Sequence, residues 1–198
     1  MEIKITTSNG VKLRTAGKYV LDDVHVVAQA YDGAVGEGAV NEIDALLNGN
    51  ITEITSYVTT LIDYAFAYSK SLTSITLPNV IILSSFALNN CNKLKNVEIP
   101  NVTTIKRYSL GACGIASLNL PNVETIEEYA FAWCGNLKNI YLGYDGIVAL
   151  EATTAFTSVS NCIIHVKSQY AEQYTNATNW ASLITEGKVV VVGDYNAS

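Results

Sequence analysis

The sequence contains little charge and almost no histidine. Only 15% of its 198 residues are charged, and His25 and His165 are the only two histidines. The 12 basic residues are outnumbered by 18 acidic ones, which gives a net charge of −6 and no basic patch suited to nucleic acid. The hydrophobic content of 49% is nevertheless typical of a folded chain. We therefore expect a folded protein whose partner is not nucleic acid.

Long hydrophobic runs are also missing. No apolar stretch approaches the roughly 18 to 20 residues that span a bilayer, so no membrane insertion is predicted. The segment Met1-Glu2-Ile3-Lys4-Ile5-Thr6 has no basic leader, apolar core or small-residue cleavage site. If Met1 is the native start, we expect synthesis in the cytoplasm without general secretion; a chain from which a leader had been removed would have the same sequence.

Motifs that carry chemistry are scarce. The chain has no nucleophile-elbow pattern, phosphate-binding glycine loop, calcium loop or zinc-ligand spacing. His25 and His165 lie far apart in the sequence and are expected to be surface or half-buried residues that do not converge. Neighbours on a strand point to opposite faces, so Asp22-Asp23 and Glu127-Glu128 do not predict an acid–base pair. We predict no catalytic residue, no cofactor and no metal.

The four cysteines are arranged as structural thiols. Cys91, Cys113 and Cys134 recur at the repeat spacing described next, and no Cys-x-x-Cys pair is present. Buried free thiols behave as small apolar residues, so we expect them to be reduced and packed inside.

The dominant feature that is present is a repeat. Pro-Asn-Val begins at Pro78, Pro100 and Pro121, 22 and then 21 residues apart. The neighbouring apolar columns read Leu61, Leu83, Ile105, Ile126; Leu72, Leu94, Ile115, Leu137; Ile75, Val97, Leu118, Ile140; and Leu77, Ile99, Leu120, Leu142. Such a period predicts a solenoid, in which each unit buries its apolar face by stacking on its neighbours. Each unit should hold one short strand followed by a Pro-Asn turn.

One unit of this array is shorter than the others. After Cys113 the pair Gly114-Ile115 stands where the preceding unit has Asn92-Lys93-Leu94. A deletion of one residue in a loop is usually tolerated, so we expect the array to continue through it.

The sequence divides into four segments. Residues 1–32 suggest a hairpin or short strands that anchor or oligomerise the protein. Residues 33–50 contain a glycine hinge and a short capping helix over Asn41–Gly49. The repeats occupy residues 51–142, and residues 143–198 form a degenerate fifth repeat with a C-terminal cap. That cap should contain a helix over Ser168–Tyr174, the covering Trp180, and a final strand Val189–Val192 whose partner the sequence does not identify.

The repeats resemble the BspA-like leucine-rich repeat family of bacterial surface and phage-associated proteins. The resemblance rests on Ile62-Asp63-Tyr64-Ala65-Phe66-Ala67-Tyr68-Ser69-Lys70-Ser71-Leu72-Thr73-Ser74-Ile75-Thr76-Leu77-Pro78, on the related segment from Ile126 to Leu137, and on the ending His165 to Trp180. It implies a leucine-rich repeat solenoid with caps at both ends. A second, shorter resemblance, over Ile5–Tyr19 and Asp23–Val26, is to tail and other virion proteins of phages that infect Gram-positive gut bacteria.

The outward residues of the strands form the candidate ligand-binding surface. They should stack into two polar columns: Ser74, Asn96, Ser117, Asn139 and Thr76, Glu98, Asn119, Tyr141. Solenoids commonly bind ligands on such faces, although a simple solvated face is the alternative interpretation. Tyr68 and Trp133 share a further column in which Asn90 and Ala112 break the pattern, and exposed Tyr and Trp are frequent binding anchors.

Together these patterns favour a non-enzymatic recognition or attachment module of a phage or prophage particle. Its expected partners are a protein or glycan ligand, other virion proteins, and a second copy bound through residues 1–32. The alternative is an exported bacterial adhesin on the cell surface that binds host protein or glycan. An enzyme of unknown type is a distant third.

Overall fold

The computed structural model describes residues 2–7, 12–13, 26–31, 53–55, 59, 61 and 63–195. The predicted glycine hinge and the helix over residues 41–49 lie outside these residues, as does His25. In this part of the chain, no helix combines the length and the apolar character needed to cross a bilayer.

A six-stranded sheet begins at the front of the molecule. Its strands are β1 (Glu2–Thr7), β2 (Lys12–Leu13), β3 (Val26–Tyr31), β4 (Glu53–Thr55), β5 (Ser74–Thr76) and β7 (Asn96–Glu98). Strand β1 pairs antiparallel with both β2 and β3, and β3 then pairs parallel with β4, the first strand of the repeats. The order of strands in this sheet is β2-β1-β3-β4-β5-β7. The front segment and the repeats therefore share one sheet.

The rest of the solenoid contributes two four-stranded parallel sheets. One continues the strand position of the repeats and consists of β9 (Ser117–Leu120), β11 (Asn139–Leu142), β13 (Cys162–Val166) and β14 (Val189–Val192). The other forms a second side of the coils and consists of β6 (Ile82–Leu83), β8 (Thr104–Ile105), β10 (Thr125–Ile126) and β12 (Ala149–Leu150). The strand orders are β14-β13-β11-β9 in the first sheet and β12-β10-β8-β6 in the second. The final strand β14 thus has β13 as its parallel partner.

The predicted apolar columns form one continuous core. Ile75, Leu77, Leu118, Leu120 and Ile140 are each at most 2% exposed, which confirms the in-out-in alternation of the strands. Each coil covers the core residues of the preceding one, so hydrophobic burial holds the stack together.

The Pro-Asn-Val triplet has a role in every position. The valines Val80, Val102 and Val123 are fully buried. The Asn101 Nδ2 donates a hydrogen bond to the Pro78 carbonyl at 2.7 Å, and the Asn122 Nδ2 donates to the Pro100 carbonyl at 2.8 Å. The triplet therefore turns the chain and also joins successive coils by a ladder of asparagine hydrogen bonds.

The cysteines are buried, as expected for structural thiols. In the shared column, the Sγ atoms of Cys91, Cys113 and Cys134 lie 3.2, 3.1 and 3.0 Å from a carbonyl oxygen of the preceding coil. Desolvation raises the pKa of Cys91 to about 12 and that of Cys134 to about 11. Desolvation, with smaller contributions from Cys91 and Cys134, also raises the pKa of Cys113. Because the thiolate is the reactive form, these residues are packing elements rather than nucleophiles.

The C-terminal cap closes the last coil. A 3₁₀ helix (Ser168–Tyr170) leads into α1 (Ala171–Tyr174), and α2 (Trp180–Thr185) follows; a further 3₁₀ helix covers Thr153–Phe156. Trp180 is 1% exposed, and its ring lies 5.8 Å from Phe156 and 5.3 Å from Tyr174 between centroids. The predicted helical segment and the covering role of Trp180 are confirmed.

The shorter third unit interrupts the strand ladder. Among the described residues, β7 and β9 belong to different sheets, and no backbone hydrogen bond joins them. Val97 in β7 is half-buried, whereas Ile75, Leu118 and Ile140 at the same position are buried. The core continues through the deletion as expected, but the ladder does not. We call this interruption between Asn96–Glu98 and Ser117–Leu120 the seam.

Candidate functional site

The predicted polar columns lie side by side on the outward surface of β5, β7, β9 and β11, here called the strand face. In register, Ser74 pairs with Asn96 and Thr76 with Glu98 before the seam. After the seam, Ser117 pairs with Asn139 and Asn119 with Tyr141. The structure brings these residues together as two groups that meet at the seam, rather than as two unbroken columns.

Exposure on the strand face is greatest at the seam. Asn96 and Glu98 on one side, and Ser117 and Asn119 on the other, are exposed. The flanking residues of the columns, which are Ser74, Thr76, Asn139 and Tyr141, are half-buried. Four small or acidic polar side chains therefore surround the one place where adjacent strands of this face are unpaired in the described repeats.

Backbone groups add to the polarity of the seam. In the coils on either side, the first strand residue donates its N–H to the preceding coil: Asn96 N to the Thr73 carbonyl at 3.1 Å, and Asn139 N to the Ala116 carbonyl at 3.2 Å. Among the described residues, the equivalent N–H of Ser117 has no such partner across the seam. A ligand on the strand face can therefore meet main-chain donors and acceptors as well as side chains.

Glu98 is the one carboxylate among the predicted strand-face residues. Its Oε2 accepts a hydrogen bond from the Thr76 Oγ1 at 3.1 Å, across the two paired strands. This contact holds the carboxylate toward β5, while Glu98 remains exposed. Glu98 can accept hydrogen bonds from a bound hydroxyl or amide group.

His165 joins the strand face and is half-buried, in agreement with the expectation of a surface or half-buried histidine. It pairs in register with Tyr141, and the two rings stack at 4.2 Å between centroids with 11° between their planes. Its Nδ1 lies 2.7 Å from Asp194 Oδ1, and its Nε2 lies 3.0 Å from Asn139 Oδ1. The sequence does contain a signal for this pairing. If Ile164 and Val166 are aligned with Ile140 and Leu142 of the preceding repeat, His165 is placed beside Tyr141.

Tyr68 and Trp133 lie away from the strand face. Both occupy the turns that precede the cysteine column, where φ is 62° and 60°, and their exposed fractions are 57% and 51%. Left-handed backbone is unusual for such bulky residues, and here it repeats at the same position in successive coils. The structure therefore separates these two predicted anchors from the eight residues of the polar columns.

Trp133 belongs to a ladder of aromatic rings on that other side. The rings of Tyr64, Phe86, Tyr108 and Tyr129 stack at 4.6 to 4.9 Å between successive centroids. Trp133 lies 5.8 Å from Tyr108, nearly parallel to it. The rings cover one another face to face, which stabilises the turns by aromatic stacking and leaves mainly ring edges in solvent.

The adjacent carboxylates Glu127 and Glu128 both contact Arg107. The Glu127 Oε2 accepts a hydrogen bond from the Arg107 backbone N–H at 2.8 Å, and the Glu128 Oε1 lies 3.2 Å from the Arg107 Nε. The two residues follow β10 instead of lying on a strand, so the alternation of strand faces that the sequence analysis assumed does not apply to them. Their contacts link adjacent coils through a partly exposed ion pair.

The described residues contain no cluster of three or more histidine, cysteine, aspartate or glutamate side chains that could hold a metal ion. Comparison with known families identifies the repeat: a family model described as BspA type leucine rich repeat region matches residues 59–179 in six copies. The matched copies extend past Leu142, through the segment that the sequence suggested as a degenerate repeat. No curated protein is similar enough to the chain to count as a match.

Proposed function

Because the chain belongs to the BspA-type leucine-rich repeat family, we propose that it is a recognition module whose strand face binds a partner. The observation that carries the proposal is the exposure of Asn96, Glu98, Ser117 and Asn119 around the seam. These side chains combine hydrogen-bond donors and acceptors on a surface that is otherwise held rigid by the stacked coils.

Rigidity favours binding on this face. Each strand is fixed by burial of its alternate residues, such as Leu118 at 2% exposure, so the backbone that carries the outward side chains is already ordered. A preorganised surface loses little conformational entropy when a ligand binds. The strand face therefore supplies aligned polar groups at low ordering cost.

A binding role without catalysis agrees with both the family and the groups on the face. Solenoids of this type are typically binding scaffolds. His165, the histidine that lies within the described residues, has Asp194 and Asn139 at its two ring nitrogens, and the thiols are buried.

The binding role is tested by comparing two double variants of the whole chain. Asn96→Ala with Asn119→Ala removes amides on opposite sides of the seam, whereas Thr104→Ala with Thr125→Ala alters the second sheet. We expect the first pair to reduce binding to immobilised glycans or extracellular proteins by about ten-fold or more and the second pair to leave it unchanged. Equal binding by both variants, or no binding by the unmodified chain, would contradict the proposal.

We further propose that the module is attached to a phage or prophage particle. The resemblance of residues 5–19 and 23–26 to phage virion proteins supports this location, and the pairing of β3 with β4 connects that segment to the repeats through one sheet. An attachment through residues 1–32, to other virion proteins or to a second copy, would hold the strand face outward.

Mass spectrometry of purified particles from a producing strain tests this location. We expect peptides from residues 63–195 to remain with the particles through density-gradient purification. Their absence from particles, together with their release from intact bacteria by external protease, would contradict the virion location and favour a cell-surface adhesin.

A further inference from the structure

Tyr141 is held in a fixed orientation by its neighbour in the next coil. Its ring stacks on His165 at 4.2 Å, close to the spacing of about 4.8 Å between neighbouring strands. The rings therefore stack along the solenoid axis. Contacts of His165 with Asp194 and Asn139 at its two nitrogens hold the imidazole, which in turn fixes the tyrosine ring.

The second face of the Tyr141 ring is directed toward the preceding coil. The residue in register there is Asn119, whose side chain is short and exposed, and the seam lies beyond it. No other ring is recorded against Tyr141 among the described residues. The ring thus forms a flat wall beside the seam, with the Asn119 amide on the adjacent strand and Glu98 across the seam on β7.

The charges around this wall favour a neutral ligand. The eight outward positions of β5, β7, β9 and β11 carry one carboxylate, on Glu98, and no cation: they are Ser74, Thr76, Asn96, Glu98, Ser117, Asn119, Asn139 and Tyr141. An anionic ligand would find no counter-charge among them, whereas hydroxyl groups can both donate to Glu98 and exchange hydrogen bonds with Asn119.

We propose that Tyr141, Asn119 and Glu98 form a binding site for a neutral pyranose ring of a glycan. The C–H face of the sugar packs on the open face of Tyr141, because aromatic faces carry partial negative charge and attract polarised C–H groups. The sugar hydroxyl groups bind Asn119 and Glu98, and the exposed Ser117 and Asn96 contact the neighbouring residue of the glycan. His165 is a positioning residue that keeps the tyrosine ring upright. The site lies on the strand face and therefore depends on the proposed function.

The test uses the full chain on a printed array that carries three kinds of probe. These are neutral oligosaccharides of glucose, galactose, mannose and N-acetylglucosamine, their sialylated or uronic acid counterparts, and a panel of extracellular proteins. We expect binding to neutral oligosaccharides, and we expect Tyr141→Ala to weaken it by about ten-fold or more. Tyr141→Phe should retain binding, since the ring face is kept.

Tyr64→Ala is the matched control. Tyr64 is also a partly exposed tyrosine with one face stacked on a ring, that of Phe86, but it lies off the strand face. The Tyr64→Ala variant should bind neutral oligosaccharides as the unmodified chain does. Thermal unfolding of each variant checks that its fold is intact.

The remaining outcomes separate this site from the broader role. Unchanged glycan binding by Tyr141→Ala would overturn the pyranose site. A different result is binding only to anionic glycans or to proteins, with that binding lost in the variant that carries Asn96→Ala and Asn119→Ala. This result would overturn the pyranose site and leave the recognition role intact. Binding to no probe would overturn both.

Discussion

Replacing Trp180 with alanine is expected to lower the free energy of unfolding by about 3–5 kcal/mol. Trp180 is 1% exposed, and its Nε1 donates a hydrogen bond of 2.8 Å to the Val148 carbonyl. The Tyr174 hydroxyl accepts a hydrogen bond from the Val148 N–H at 3.1 Å. The two cap side chains thus satisfy both backbone groups of one residue in the last coil, and alanine would remove packing and leave a buried carbonyl unpaired.

Urea unfolding followed by circular dichroism measures this loss. Trp133→Ala is the matched control, because it removes the same side chain from a position that is 51% exposed. It should cost about 0.5–1.5 kcal/mol, mostly from lost stacking on Tyr108. Equal destabilisation by the two substitutions would contradict the role assigned to the cap.

Replacing Gly114 with alanine is expected to destabilise the protein by about 1–3 kcal/mol. A Cβ built at this residue lies 2.4 Å from the Asn92 carbonyl oxygen and 3.1 Å from that of Leu94. Both obstacles are backbone atoms of the preceding coil, so neither can rotate away. The close approach accompanies the deletion in the third unit, which brings this turn against its neighbour.

Gly135 provides a control at the same place in the repeat. Gly114 follows Cys113 and Gly135 follows Cys134, but a Cβ on Gly135 would meet no atom within 4 Å. Gly135→Ala should change the free energy of unfolding by no more than about 0.5 kcal/mol. Chemical denaturation of both variants makes the comparison, and similar values for the two would show that the shorter turn is not tightly packed.

The periodic part of the fold could be predicted from the sequence because buried apolar residues recur at a fixed spacing along the chain. Leu72, Ile75 and Leu77 recur as equivalent residues in each unit, and burial alone determines which side of the strand they occupy. The structural thiols were predictable for the same reason, since Cys91, Cys113 and Cys134 share one buried column. Such positions depend on local spacing and on the need to bury apolar surface.

The candidate site depends on relations between coils, which the sequence expresses less directly. A deletion before β9 can be seen in the sequence. Its effect on the hydrogen bonds between β7 and β9 depends on how the two coils pack against each other. The contact between His165 and Asp194 likewise requires the chain after β14 to continue beside β13, where the Tyr195 N–H donates to the Val166 carbonyl at 3.0 Å. The left-handed φ of Trp133 and its equivalents could not be read from residue type, because bulky side chains rarely adopt that conformation.

We propose that recognition takes place on the strand face at the seam. Amide hydrogen exchange of the full chain tests it most directly, measured with and without a saturating concentration of the neutral oligosaccharide that gives the strongest array signal. We predict slower exchange in residues 95–98, 116–119 and 139–141 when the oligosaccharide is bound. Slower exchange confined to the aromatic turns at residues 129–133, with the strand face unchanged, would contradict recognition at the seam.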